Sequence, residues 1–135
     1  NRADFSFNYE EGKNEKCSIR EENVNITESK KIAGNIDSLK LSPYFTLEGW
    51  VILSGEDNED LPVEIVLKNG RKCYILTTQK RYRSDVANAL KNEKNIEFAG
   101  VFCSIPNAQI MEGTYDIYVK VNHLMRKLDE CVIAH

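Results

Sequence analysis

The chain has 135 residues and a formal net charge of -3 at pH 7, and this length fits one domain with its own hydrophobic core. Hydrophobic residues make up 41% and charged residues 29%, which argues against both a disordered chain and a membrane-embedded one. The negative charge also argues against a broad basic surface, so nucleic acid is not an expected partner. No apolar run approaches the roughly 20 residues of a membrane-spanning helix, so no direct membrane insertion is predicted.

Residues 1–33 are polar and are predicted to form an N-terminal arm and a linker. Within them, Asp4–Tyr9 alternates polar and aromatic residues, which predicts a first strand with its aromatic side chains on one face. A second short strand is predicted at Lys16–Arg20, after a turn-like break. The remaining residues up to Lys31 are expected to form a loop.

Residues 34–135 carry the pattern of a β-sandwich, because short runs of alternating apolar and polar residues are evenly separated by breaks. Val66 and Tyr118 are exceptions to the alternation. Asn69-Gly70 predicts a hairpin between two of the strands, since both residues tolerate a positive φ. The predicted strands span residues 35–41, 45–54, 63–68, 72–77, 96–105 and 115–122.

One short helix is predicted at Ser84–Asn92, where apolar residues repeat at helical spacing and Ser84 is expected to cap the exposed amides. The tail is ambiguous between a helix at Leu124–Leu128 and a strand at Glu130–Ala134. Short strands without long helices between them cannot easily form a parallel sheet. The predicted fold class is therefore all-β: an antiparallel immunoglobulin-like or jelly-roll-like sandwich of seven to eight strands with one short helix.

The four cysteines, Cys17, Cys73, Cys103 and Cys131, stand singly along the chain rather than in the closely spaced pairs of zinc sites, so no metal is predicted. An even number permits two disulfides in a secreted domain, with three pairings, and buried free thiols are the other interpretation. Cys17 with Cys131 is the expected bridge, because both lie near chain ends and chain ends often come together.

Five short motifs follow one another in the second part of the chain: Gly34-Asn35-Ile36-Asp37, Leu47-Glu48-Gly49-Trp50, Arg83-Ser84-Asp85-Val86, Gly100-Val101-Phe102-Cys103-Ser104-Ile105-Pro106 and Gly113-Thr114-Tyr115-Asp116-Ile117. In this order and spacing they resemble a β-sandwich accessory domain attached to bacterial glycosyltransferases and to membrane proteins of surface-polysaccharide synthesis. The chain departs from that family at Ser84, where the family has proline, and at Val101, which separates Gly100 from Phe102.

The resemblance implies a non-catalytic accessory or interaction domain of a bacterial cell-envelope or surface-polysaccharide protein. Its implied partner is a parent or partner envelope protein or glycosyltransferase. The implied location is extracytoplasmic, at the cell surface, or cytoplasmic if the domain is attached to a glycosyltransferase. No catalytic residue and no cofactor is implied. The alternative function is a carbohydrate-binding module for a polysaccharide, including an anionic one.

Trp50, the single tryptophan, is a candidate ligand-binding residue, because an exposed tryptophan on a strand face can stack on a sugar ring. The competing interpretation is that Trp50 anchors the core. Gly49 favours that interpretation, since a glycine permits another backbone to approach closely.

Arg81, Tyr82 and Arg83, preceded by Lys80, are the other candidate ligand-binding residues. They place positive charge and an aromatic ring on a predicted turn before the helix, where an anionic glycan or a phosphate would bind. The alternative is structural: Arg83 pairs with Asp85 or caps strand-end carbonyls, and so holds the connection in place.

The acidic loop Gly55–Pro62 offers carboxylate oxygens that calcium prefers. Its spacing does not match the helix-loop-helix calcium motif, and acidic loops are common solubilising features. No nucleophile stands in a recognisable elbow sequence, and nothing singles out two carboxylates for glycoside hydrolysis. The sequence therefore predicts neither a metal site nor a catalytic site.

Overall fold

The structure, a computed structural model, describes residues 17–70 and 72–135. Over these residues the chain forms nine strands, a 3-10 turn at Asn107–Gln109 and one helix, α1 (Ser84–Ala89). The strands are β1 (Ile19–Glu21), β2 (Ile32–Lys40), β3 (Tyr44–Leu53), β4 (Val63–Lys68), β5 (Cys73–Thr77), β6 (Gln79–Arg81), β7 (Gly100–Pro106), β8 (Gly113–Val121) and β9 (Leu124–Ile133). The strand expected at Asp4–Tyr9 lies outside the described residues.

The strands form two sheets, and every pair of neighbouring strands is antiparallel. Sheet I has the order β1-β5-β4-β8-β9, and sheet II has the order β2-β3-β7-β6. The predicted all-β sandwich is therefore confirmed. The sandwich includes β1 and the start of β2, which precede Gly34.

The inner faces of the two sheets form the main core. Along β3, the alternate residues Phe45, Leu47 and Val51 are buried, and Ile65 of β4 and Val119 of β8 face them from sheet I. Burying each large aliphatic side chain contributes about 1.5–3 kcal/mol, so this layer supplies most of the driving force that holds the sheets together.

The outer face of sheet I explains why Val66 and Tyr118 break the alternation. Both are buried there, and the segment after β1 crosses this face and covers them with Val24 and Ile26. Backbone hydrogen bonds between Met125 of β9 and this segment hold the cover in place. The region expected to be a loop is therefore a fixed layer on the sheet.

The outer face of sheet II is covered in part by α1 and by residues 96–99. Ile96 and Ala99 pack with Val86 of α1 on Ile52 of β3 and form a second core on this face. These residues cover the sheet and do not pair as a strand within it. For that reason β7 begins at Gly100 instead of residue 96. Across the described residues, no helix has the length and apolar character needed to cross a bilayer.

Three local expectations were wrong. Arg83, not Ser84, is the N-cap residue of α1, and it makes no side-chain cap hydrogen bond. The segment at Lys80 and Arg81, expected as a turn, is the short strand β6, which pairs with β7. The helix ends at Ala89 rather than Asn92. A strand of three residues is too short to show alternation, which explains why the sequence did not reveal β6.

Two other expectations are settled. The tail is a strand, β9, which pairs with β8 along its whole length. The hairpin between β4 and β5 is confirmed. Its turn is closed by Asn69, whose backbone N–H donates to the Lys72 carbonyl at 2.9 Å and whose Oδ1 accepts from the Lys72 N–H at 2.8 Å. Gly70 does not adopt a left-handed φ there.

The expected disulfide partner of Cys17 was also wrong. All four cysteines are free in the structure, and the Cys17 sulfur lies 3.8 Å from the carbonyl oxygen of Phe102, the residue before Cys103 on β7. The reason is topological. Cys17 leads into β1 and Cys131 lies on β9, and these are the opposite edges of sheet I, with three strands between them. At about 4.8 Å per strand, the two edges are far beyond disulfide reach.

β2 passes very close to β3 at Gly49. A Cβ on Gly49 would overlap the carbonyl oxygen of Asn35, so only glycine fits. The register changes at this point, because Ile36 pairs with Gly49 and Ser38 pairs with Glu48. Asp37 is left as the extra residue of a β-bulge, a feature that redirects side chains.

We predict that Gly49→Ala lowers the free energy of unfolding by roughly 2 kcal/mol, because backbone must move to admit the methyl group. The matched control is Gly70→Ala, where a Cβ meets nothing within 4 Å, and it should change stability by less than about 0.5 kcal/mol. Urea unfolding followed by circular dichroism measures both. Equal stability of the two variants would contradict the close approach.

Candidate functional site

The β-bulge at Asp37 positions one carboxylate against Arg83. Arg83 Nη1 donates to Asp37 Oδ2 at 2.8 Å, while Nε and Nη2 donate to the two carboxylate oxygens of Asp85, each at 2.8 Å. These bonds hold the pKa of Asp85 down at about 2, since the hydrogen bonds from Arg83 favour the charged carboxylate. Arg83 therefore pairs with Asp85, as its structural interpretation predicted. Asp37, Arg83 and Asp85 are called the Arg83 cluster below.

Gly100 lets the Arg83 cluster lie flat on sheet II. A Cβ at Gly100 would come within 2.7 Å of the Arg83 Cγ and of the Arg81 carbonyl oxygen. Four of the five motifs behind the family resemblance therefore meet here, through Asp37, Gly49, Arg83 and Gly100. Their spacing along the sequence reflects one structural junction.

Arg81 and Trp50 have different surroundings. The Arg81 guanidinium lies over the Phe102 ring, with 4.4 Å between its central carbon and the ring centroid, a cation–π arrangement. Trp50 is partly buried and packs against the core beneath α1, together with Ala33 and Leu90. Trp50 thus packs only in part on a core, and both interpretations of Trp50 stay predictions.

Two clefts flank Tyr82. The smaller one, about 320 Å³, is lined by Asp37, Glu48, Arg81 and Arg83 among others, and is called the polar cleft. The larger one, about 650 Å³, lies within the size range of small-molecule sites. It is called the aromatic cleft, and its main lining residues are Glu59, Asp60, Lys80, Tyr82, Glu97 and Phe98. Of the predicted site residues, the structure places Arg81, Tyr82 and Arg83 in the polar cleft and Tyr82 alone in the aromatic cleft.

The aromatic cleft is built around two exposed rings. Tyr82 is 61% exposed and Phe98 is 58% exposed, and their centroids lie 5.5 Å apart in an edge-to-face arrangement. A backbone hydrogen bond from Arg83 N–H to the Glu97 carbonyl, 2.7 Å long, joins the two segments beside these rings. The neighbours of both aromatics are thus fixed to each other, and the pair is preformed.

Polar groups of both signs surround the rings. Lys80 is more than half buried, and this burial lowers the pKa of its ammonium group. Among residues 17–70 and 72–135, no side chain or carbonyl forms a hydrogen bond or ion pair with the Lys80 ammonium, and the same holds for the carboxylates of Glu59, Asp60 and Glu97. The cleft therefore offers a donor and several acceptors next to an apolar surface.

The acidic loop forms one wall of this cleft and is organised by Asn58, which is 8% exposed. Asn58 Oδ1 accepts the Leu53 N–H at 2.7 Å, and Nδ2 donates to the carbonyls of Leu53 at 3.1 Å, Glu56 at 3.0 Å and Lys94 at 3.3 Å. Within the described part of the chain, no three His, Cys, Asp or Glu side chains gather as a metal site requires. The hydrogen bonds of the Asn58 side-chain amide therefore hold the shape of this loop.

Sequence reasoning missed Phe98 and Asn58. Phe98 lay inside a predicted strand, where alternation gave it no special status, and Asn58 lay in the acidic loop, of which only the carboxylates were considered. Two signals pointed toward them: the apolar residue spacing around Ala99 does not fit one continuous strand, and an asparagine among carboxylates is a frequent organiser of loops.

Comparisons of this chain with protein-family models, with curated proteins and with solved structures find no match.

We predict that Asn58→Ala lowers the free energy of unfolding by about 2 kcal/mol, because it strips partners from the buried N–H and carbonyl of Leu53. The control is Asn92→Ala at an exposed position of the neighbouring loop, which should cost less than about 0.5 kcal/mol. Urea titration of both variants distinguishes these results. A loss no larger in Asn58→Ala than in the control would show that the loop does not depend on this amide.

Proposed function

We propose that this chain is a non-catalytic binding domain that holds a glycan in the aromatic cleft, as an accessory part of a bacterial cell-envelope or surface-polysaccharide protein. The observation that carries the proposal is the exposed, edge-to-face pair of Tyr82 and Phe98. Two large rings held side by side at the surface leave apolar area in contact with water, and exposed apolar area of this kind is typical of binding sites.

A sugar ring matches this surface chemically. Its C–H faces are apolar and can stack on an aromatic ring, while its hydroxyl groups donate and accept hydrogen bonds at the edge. Lys80 supplies donors there, and Glu59 and Glu97 supply acceptors beside the two rings. Because one ammonium faces several carboxylates, the mixture favours a neutral pyranose over a strongly anionic one.

The accessory role is supported by the motif series described above, and the location proposed with it is the cell surface, or the cytoplasm if the domain is attached to a glycosyltransferase. On this account Arg81 and Arg83 position the chain around the cleft and are not the main ligand contacts. Arg83 is bound to two carboxylates, and Arg81 is stacked on Phe102.

The test is binding to an array of bacterial surface polysaccharides and cell-wall polymers, with Tyr82→Ala and Phe98→Ala as variants. We expect selective binding by the unaltered protein and a loss of about five- to thirtyfold in affinity in each variant, since each ring contributes on the order of 1–2 kcal/mol. The matched control is Tyr44→Ala, which removes a 51% exposed tyrosine at the far end of β3 and should bind normally.

Two results would contradict the proposal. If the protein bound no polymer of the array, glycan recognition would be ruled out, and the binding partner would have to be sought among proteins. Release of reducing sugar from a bound polysaccharide, lost on Glu97→Gln, would show that the cleft is catalytic instead.

A further inference from the structure

Two thiols lie near each other in the main core, and neither lines either cleft. Cys17 lies two residues before the start of β1 and is partly exposed, whereas Cys103 lies on the inner face of β7 and is 0% exposed. Cys17 packs against the core cluster that contains Cys103. Its sulfur also lies 3.8 Å from the Phe102 carbonyl oxygen, so Cys17 is seated on the backbone of β7.

The two thiols differ in access and in acidity. The neighbouring Cys103 thiol lowers the pKa of Cys17 to about 6, and the positive charge of Arg81 adds to this effect. The neighbouring Cys17 thiol, together with burial, raises the pKa of Cys103. An accessible acidic thiol beside a buried second thiol is the arrangement of an attacking and a resolving cysteine.

We propose that Cys17 and Cys103 form a thiol–disulfide exchange site that closes into a disulfide between the two sheets when it meets a low-molecular-weight disulfide. The Cys17 thiolate attacks one sulfur of that disulfide, which breaks the reagent's S–S bond and releases one small thiolate. Cys103 then attacks the Cys17 sulfur, the mixed disulfide breaks, and the second small thiol leaves. Two protein thiols are oxidised, the reagent is reduced to two thiols, and both protons end on those thiols.

The product joins the start of β1, an edge strand of sheet I, to β7 in the middle of sheet II. Since the linked residues are far apart in the sequence, the bond restricts the unfolded chain, and we expect the oxidised protein to melt at a higher temperature. This inference is independent of glycan binding.

The experiment uses oxidised glutathione as the probe. The native protein is incubated with it, then unfolded in an alkylating agent, and its mass and tryptic peptides are determined. We expect two alkylated cysteines rather than four, a peptide linking Cys17 to Cys103, and a raised melting temperature. Four alkylated cysteines, or a link between any other pair, would overturn the proposal.

Three variants separate exchange from structural effects. In Cys103→Ser, Cys17 should retain a glutathione adduct, because the resolving thiol is missing. In Cys17→Ser, the remaining thiols should stay unmodified, since Cys73, Cys103 and Cys131 are buried. The matched control Cys131→Ser should still form the link. If Cys17→Ser reacts as fast as the unaltered protein, Cys17 is not the attacking thiol and the proposal fails.

Discussion

The close passage of β2 over Gly49 is the constraint on which the rest of the surface depends. Because β3 carries no side chain there, the β2 backbone can approach, and the register shift leaves Asp37 as a bulged residue. Asp37 then binds Arg83, and Asp85 binds it from the other side. One missing Cβ thus determines where the connection between β6 and α1 is anchored.

The anchored Arg83 also helps to form the aromatic cleft. Arg83, at the N-terminal boundary of α1, donates its backbone N–H to Glu97, which brings the two segments that carry Tyr82 and Phe98 together. On the other side of Tyr82, Arg81 is held over Phe102. Tyr82 therefore stands between two restrained arginines, and its ring is held at the surface instead of joining a core. A site with fixed aromatic rings loses little entropy when it binds a ligand.

Much of the fold could be predicted, because strands covered on one face show a period of two. The observed bounds of β4 are the predicted ones, and Asn69-Gly70 correctly predicted the hairpin between β4 and β5. Val66 and Tyr118 looked like errors in the alternation, yet they mark the face that the segment after β1 covers. β6 was missed since three residues cannot establish a period.

The site was harder to predict, because its parts come from different strands and loops. Arg83 was expected either to bind a ligand or to pair with Asp85. The sequence could not reveal Asp37 as its second partner, since only the bulge brings the two together. Phe98 lies sixteen residues after Tyr82, and their contact depends on α1 folding back over sheet II. The packing of Cys17 against the core that contains Cys103 likewise follows from sheet order rather than from distance along the chain.

The central claim is that ligand binding belongs to the aromatic cleft, while the neighbouring Arg83 cluster is structural. The most direct measurement is a titration of ¹⁵N-labelled protein with an oligosaccharide of the polysaccharide it binds, followed by NMR amide shifts. We predict that the largest shifts occur at residues 58–60, 80–82 and 95–98. Largest shifts at Asp37, Glu48 and Phe102 instead would place the ligand in the polar cleft and contradict this account.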